Sequence, residues 1–337
     1  MISDRLNRPV TDLRISVTDR CNYRCTYCMP SDKYEWIDRK EILSFEEITR
    51  LAGILITLGV QKIRITGGEP LLRRDLHRLI AALSGFEGVR DLCLTTNGSL
   101  LAEAAAELAA AGLKRVNVSL DTLRPERFRR ITQRDELARV VDGLYRAREC
   151  GLQPVKINMV VERGQNDDEI IPMVDFARRN GFSVRFIEYM DVGNVNGWRL
   201  GKMVPKEEIL RIIHAAYPLA EAGRSDGSAP AVDYRFEDGN GSLGIIASVT
   251  APFCGGCTRL RLTADGRLVT CLFSERGFDL KGPLRTGASD DDLSDIVNGI
   301  WAGRADRYSE ERLEALRSDG GYAAEARRKI EMIRLGG

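Results

Sequence analysis

The chain has 337 residues, of which 43% are hydrophobic and 29% charged, and its net charge is +1. That composition is ordinary for a globular protein of one large or two smaller domains, and nothing in the charge balance calls for nucleic acid or a membrane as partner. The N-terminal stretch Met1–Arg8 is charged and lacks an apolar centre, and the longest apolar run, Leu51 to Val60, is too short to span a bilayer.

From residue 13 to about 190, strand and helix signals alternate. Strands are expected at 13–18, 61–66, 91–95, 115–119, 154–161 and 183–188. Helices are expected at 44–59, 75–84, 99–111, 136–150 and 167–180. Ser44 and Glu47 form a capping-box pattern, and Asn166 is the expected cap of the last helix. Six βα units in series predict an α/β fold with a parallel sheet and right-handed crossovers. Six strands are too few to close an eight-stranded barrel, so an incomplete (β/α)6 barrel of TIM type is expected.

The loops leaving these strands carry the chemistry-bearing residues, as is usual in such folds. Cys21, Cys25 and Cys28 follow strand one and Thr66-Gly67-Gly68-Glu69-Pro70 follows strand two. Thr95-Thr96-Asn97-Gly98 follows strand three, Ser119-Leu120-Asp121 strand four, and Glu188-Tyr189-Met190 ends strand six. Period-two alternation puts Arg14, Ser16, Thr18, Lys62, Arg64, Thr66, Asn117, Ser119, Lys156 and Asn158 on one face, opposite an aliphatic face that must meet the helices. A lumen carrying Arg14, Lys62, Arg64 and Lys156 would be unstable if dry and empty, so a polyanionic ligand is expected there. The alternative is internal ion pairing with acids such as Glu69 or Glu188. Arginine outnumbers lysine 41 to 9, and the guanidinium fork suits phosphate.

After residue 191 the pattern changes. A helix is expected at 205–217, short strands at 231–236, 243–249 and 258–263, and helices at 289–303 and from 309. This predicts two domains: residues 1–190 as the partial barrel, and 191–337 as an α+β extension covering its open side. Cys254, Cys257 and Cys271 bracket an expected hairpin around Ala264-Asp265-Gly266-Arg267. Six of the eight cysteines thus fall in two tight triplets, which argues for metal ligation in a reducing cytoplasm over disulfides. Cys93 and Cys150 read as small buried residues, and His77 and His214 as packing or surface residues. The basic groups Arg73-Arg74, Arg178-Arg179 and Arg327-Arg328-Lys329 read as solvated faces.

Three thiolates leave one iron of a four-iron cluster without a protein ligand. The first triplet with the Gly-Gly-Glu-Pro rim closely resembles the radical S-adenosylmethionine family. That resemblance implies a 4Fe–4S cluster on Cys21, Cys25 and Cys28, with S-adenosylmethionine on the open iron. Tyr27, Gly68, Ser119 and Met190 match the family's contacts to that cofactor. The second triplet alone fits an incomplete zinc knuckle or a structural site. Its neighbour Thr258-Arg259-Leu260-Arg261-Leu262 alternates, however, so that both arginines point the same way. With a chain ending in Gly336-Gly337, the whole resembles the GTP 3′,8-cyclase family, the molybdenum cofactor biosynthesis protein A family. The resemblance implies a second 4Fe–4S cluster on Cys254, Cys257 and Cys271, and GTP held between the two clusters in one lumen. It also implies hydrogen removal from C3′ of the ribose and closure onto C8 of guanine. Arg14, Arg64, Thr95, Lys156, Arg185, Arg259, Leu260 and Arg261 look like GTP contacts, with Arg259, Arg261, Gly336 and Gly337 serving catalysis. The implied partners are an electron donor and, downstream, cyclic pyranopterin monophosphate synthase, with the chain a monomer or homodimer. The rival readings are a radical enzyme with an auxiliary cluster that modifies a peptide, and a zinc-stabilised binding protein.

Overall fold

The computed structural model describes residues 2–30, 34–318, 322, 324 and 328–336. Among these, twelve strands form a single sheet: β1 (Asp12–Ser16), β2 (Lys62–Thr66), β3 (Asp91–Thr96), β4 (Arg115–Ser119), β5 (Lys156–Val161), β6 (Ser183–Glu188), β7 (Leu219–Gly223), β8 (Val232–Phe236), β9 (Ser242–Ile246), β10 (Arg259–Leu262), β11 (Arg267–Val269) and β12 (Phe278–Asp279). Their order is β12-β11-β10-β1-β2-β3-β4-β5-β6-β9-β8-β7. β1 to β6 pair in parallel and in chain order, as expected. The segment after residue 191 extends both edges of this sheet, since β9 pairs parallel to β6 and β10 parallel to β1.

The helices are α1 (Phe45–Thr57), α2 (Leu76–Ser84), α3 (Leu101–Ala110), α4 (Pro125–Thr132), α5 (Leu137–Glu149), α6 (Ile170–Asn180), α7 (Lys206–Ala216), α8 (Lys281–Arg285), α9 (Asp290–Ala302), α10 (Tyr308–Arg317) and α11 (Met332–Leu335). The capping box of α1 is present on Ser44 and Glu47. Asn166 does not cap: its amide donates to the Asp121 and Val160 carbonyls and its Oδ1 accepts from the Glu162 N–H, so it braces the loops after β4 and β5. No helix among the described residues is long and apolar enough to cross a membrane.

The alternation in the strands decides which face packs. Leu13, Ile15, Ile65, Val116, Val118, Ile157 and Met159 are fully buried in one continuous core against the helices. A smaller cluster of Tyr189, Trp198, Met203 and Val249 sits beyond the end of β6. Glu188, fully buried, ties these parts together. Its carboxylate accepts from the N–H groups of Lys206, Val249 and Thr250 and from the Thr250 hydroxyl.

Candidate active site

Both cysteine triplets line one cavity of about 270 Å³, together with Arg14, Arg64, Thr95, Arg185, Arg259, Arg261 and Gly336. Residues of β10 and β9, which extend opposite edges of the parallel strands, line the same space. All eight cysteines are free thiols. Burial pushes Cys21 up to about 11 and Cys28 and Cys271 up to about 12. Burial also opposes the Cys257 thiolate, but Arg259 and Arg304 outweigh it and bring that thiol down to about 6. Among the described residues no three His, Cys, Asp or Glu side chains converge tightly enough to hold a single metal ion. Thiolates of a cluster attach to separate irons and need not converge on one point. Two open triplets of unpaired thiols on one cavity therefore fit cluster ligation.

The first cysteine loop is fixed by the Gly-Gly-Glu-Pro turn. A Cβ on Gly67 would lie 2.5 Å from the Thr18 carbonyl oxygen, and one on Gly68 2.3 Å from that of Arg20. The glycines are thus required by the neighbouring loop's own backbone. Glu69 is fully buried and accepts from the Thr96 hydroxyl at 2.7 Å, the Asn97 N–H at 2.7 Å and the Leu71 N–H at 3.0 Å. Burial outweighs these bonds and pushes its carboxyl up to about 7. The Tyr27 hydroxyl donates to Asp121 at 2.7 Å, and Asp121 also accepts from the Val160 N–H at 2.9 Å. This ties the first cysteine loop to the ends of β4 and β5.

The register aligns charge across three strands. Arg14 of β1 is paired with Arg64 of β2 on one side and Arg261 of β10 on the other. Burial, followed by Arg64 and Arg261, pulls the Arg14 guanidinium well below its usual range. The Nε atoms of Arg14, Arg64 and Arg185 and Oδ1 of Asn158 are buried without a hydrogen-bond partner. All four residues line the cavity, so it presents three unsatisfied cationic donors and one unsatisfied acceptor.

The expected acids do not neutralise this lumen, because Glu69 and Glu188 are engaged by hydroxyl and backbone donors instead. Lys62 and Lys156 are not in the main cavity. They line a second one of about 260 Å³ with Asp12, Asp91, Arg115 and Asp226. There Lys62 pairs with Asp226 and Arg115 with Asp91, and burial lowers Lys156 to about 8. Arg64 and Arg185 line both cavities.

Of the residues matched to S-adenosylmethionine contacts, Tyr27, Gly68, Ser119 and Met190 all line the main cavity. Leu260 does not: alternation turns its side chain into the hydrophobic core, fully buried, between its two outward arginines. Gly336 lies against Thr66, and Arg261 donates to its carbonyl at 3.1 Å and to that of Leu335 at 3.3 Å. Gly337 lies outside the described residues. Three basic groups expected in solvent are engaged. Arg73 donates to the Val17 and Leu43 carbonyls, Arg178 stacks over Tyr217 and Phe236, and Lys329 is buried. Asn97, whose amide approaches the Cys21 sulfur at 3.9 Å and bonds Asn22 at 2.9 Å, had no signal beyond its place on the rim. The same holds for Asp121 as the partner of Tyr27.

Residues 15–177 match the family described as Radical SAM superfamily, and residues 182–310 the family described as Molybdenum Cofactor Synthesis C. The chain is 51% identical to the GTP 3′,8-cyclase of Acidothermus cellulolyticus, over 95% of this chain and 90% of that protein. It is 44% identical to that of Aquifex aeolicus over the full length of both. Among solved structures, Streptococcus suis SuiB bound to S-adenosylmethionine aligns with a TM-score of 0.60 at 17% identity, over 86% of this chain and 68% of that one. SuiB bound to precursor peptide SuiA aligns at 0.61 and 16%, over 93% and 67%. These two likenesses concern the fold alone. The near-full-length identity to the curated relatives, together with two cysteine triplets on one arginine-lined cavity, establishes that the chain belongs to the GTP 3′,8-cyclase family.

Proposed function

We infer that the chain cyclises GTP to (8S)-3′,8-cyclo-7,8-dihydroguanosine 5′-triphosphate, the first step of molybdenum cofactor biosynthesis, as a radical S-adenosylmethionine lyase. The carrying observation is that both cysteine triplets and the aligned arginines face one cavity. Cys21, Cys25 and Cys28 would hold one 4Fe–4S cluster, and Cys254, Cys257 and Cys271 a second. When bound, the first cluster and S-adenosylmethionine supply a 5′-deoxyadenosyl radical, which takes hydrogen from C3′ of the ribose so that C3′ can close onto C8. Tyr27, Gly68, Ser119 and Met190 would seat S-adenosylmethionine. Arg14, Arg64, Arg185, Arg259 and Arg261 would bind the triphosphate and orient the ribose, with Thr95 beside them. Lys156 would act at the far end, through the second cavity. Leu260 would contribute through its backbone, Gly336 would complete the wall near Arg261, and Gly337 would serve catalysis.

The fold reading that accompanies this is an incomplete (β/α)6 barrel over residues 1–190, whose extension over 191–337 carries the second triplet. Its support is that opposite edges of the sheet share one cavity, which requires the sheet to curl. The chain would work in the cytoplasm, as monomer or homodimer, with a one-electron donor, and would pass its product to cyclic pyranopterin monophosphate synthase. Anaerobic turnover with S-adenosylmethionine, a reductant and GTP deuterated at C3′ tests the function. Deuterium is expected in 5′-deoxyadenosine; S-adenosylmethionine cleavage without label transfer would overturn the assignment.

A further inference from the structure

The loop leaving β6 grips the C-terminal segment by side chain and backbone together. Asp191, 1% exposed, accepts from Arg312 and Tyr322, from the Tyr308 hydroxyl at 2.6 Å and from Lys329 Nζ at 2.7 Å. Lys329 Nζ also donates to the Asp191 carbonyl at 2.7 Å. Three residues on, Asn194 accepts from the Lys329 N–H at 2.8 Å, and donates to the Lys329 carbonyl at 2.6 Å and to Glu331 at 2.7 Å. Every polar group of Lys329 is thereby held by residues 191–194. From this fixed point the chain runs through Ile330, whose N–H donates to the Ser274 carbonyl at 2.9 Å, into α11. Met332, Ile333 and Gly336 line the main cavity, as does Met190, the residue before Asp191.

We propose that Asp191 and Asn194 are positioning residues that seat the segment Ile330–Gly336 in the cavity and thereby set the affinity for substrate. The part concerning substrate rests on the GTP reading above. Asp191 itself is a poor probe, because removing its charge would leave Arg312 and Lys329 buried and unpaired. Asn194 is exposed, and among the described residues its side-chain hydrogen bonds all go to Lys329, which leads into the segment, and to Glu331 within it. Loss of three hydrogen bonds should shift the seated-to-released balance by about tenfold or more. In Asn194→Ala, amide exchange at Ile330 and Gly336, followed by mass spectrometry, should therefore quicken about tenfold. The KM for GTP should rise by a similar factor, with kcat at saturating GTP near wild type and the melting temperature unchanged. Lys329→Met, which leaves Asp191 paired with Arg312, should act in the same direction. Unchanged exchange in both variants, or faster exchange with an unchanged KM, overturns the proposal. Absence of GTP turnover in the wild type would instead remove the functional reading and leave the exchange measurement standing.

Discussion

Gly336 is where the geometry sets the sharpest demand. Its φ is +70°, and an added Cβ would lie 2.1 Å from Thr66 Cγ2, 2.7 Å from Oγ1 and 2.9 Å from Cβ. The left-handed backbone alone costs alanine about 1–2 kcal/mol. Thr66 is β-branched, on a strand, and 2% exposed, so its χ1 has little freedom to move the methyl aside. Gly336→Ala must therefore lift the segment, breaking the two hydrogen bonds from Arg261, which are charge-assisted and together worth about 2–3 kcal/mol or more. The sum, about 4 kcal/mol, corresponds to a seated population lower by several hundredfold. At GTP concentrations well below KM, turnover should fall by about two orders of magnitude or more, while the melting temperature stays close to wild type, because the segment is short. Thr66→Ser removes the nearest atom and should restore part of the activity when combined with Gly336→Ala. Wild-type turnover by the single variant would refute the reasoning.

Three further outcomes follow from the same geometry. Burial raises Glu69 from its ordinary 4.5 to about 7, so folding takes up a proton there. The associated stability is fully present below about pH 4.5 and is lost as pH rises through about 7. Melting curves of Glu69→Gln should accordingly decline less between about pH 5 and pH 8 than those of the wild type; an equal decline would count against it. Tyr27→Phe removes one of the two donors to buried Asp121, and should raise the KM for S-adenosylmethionine about fivefold without changing iron content, measured by cleavage kinetics and metal analysis. Arg14→Met should raise the melting temperature of the ligand-free protein while abolishing the stabilisation that added tripolyphosphate gives the wild type; a lower melting temperature with the tripolyphosphate effect intact would contradict the charge reading.

The parallel order of β1 to β6 was legible because alternation is regular in β1, β2 and β4 and strand and helix signals succeed one another along the chain. The rim loops, and with them both triplets, could be located for the same reason. What escaped was set by distant partners. α4 opens with Pro125, runs for only 8 residues and carries Arg127, Arg129 and Arg130, so it is too short and too polar a stretch to stand out as a helix. β7 reads Leu-Ala-Glu-Ala-Gly, with little strand preference, and exists through pairing with β8. Lys329 follows two arginines and reads as solvent-facing, yet Asp191, 138 residues away, buries it. Strand parity correctly turned Lys62 and Lys156 inward, but it carries no information on depth along the strand, and depth is what separates the two cavities.

That depth explains why one part of the lumen is self-sufficient and the next is not. At the level where β1 begins, Asp12 lies between Lys62 and Arg259 in register, and Lys62 is flanked on its other side by Asp91. Charges alternate across four strands there, and the protein supplies its own counterions. Two residues further along, the register partners are Arg261, Arg14 and Arg64, with Val269 and Cys93 outside them and no acid in the row. Neighbouring strands are about 5 Å apart, and like charges at that separation repel by about 3 kcal/mol at an effective dielectric constant of about 20. Two such pairs take up a large part of the 5–15 kcal/mol by which a domain is ordinarily stable. Asp12, one level below, relieves some of this repulsion, as its own depressed carboxyl shows, but a single carboxylate faces four arginines. Under the proposed function, the remaining charge would be matched by a ligand with several negative charges spaced along the row, as a triphosphate has. The second cavity, with its own aspartates, has no such need, so in the proposed reading the row of Arg14, Arg64 and Arg261 would be where the triphosphate is held.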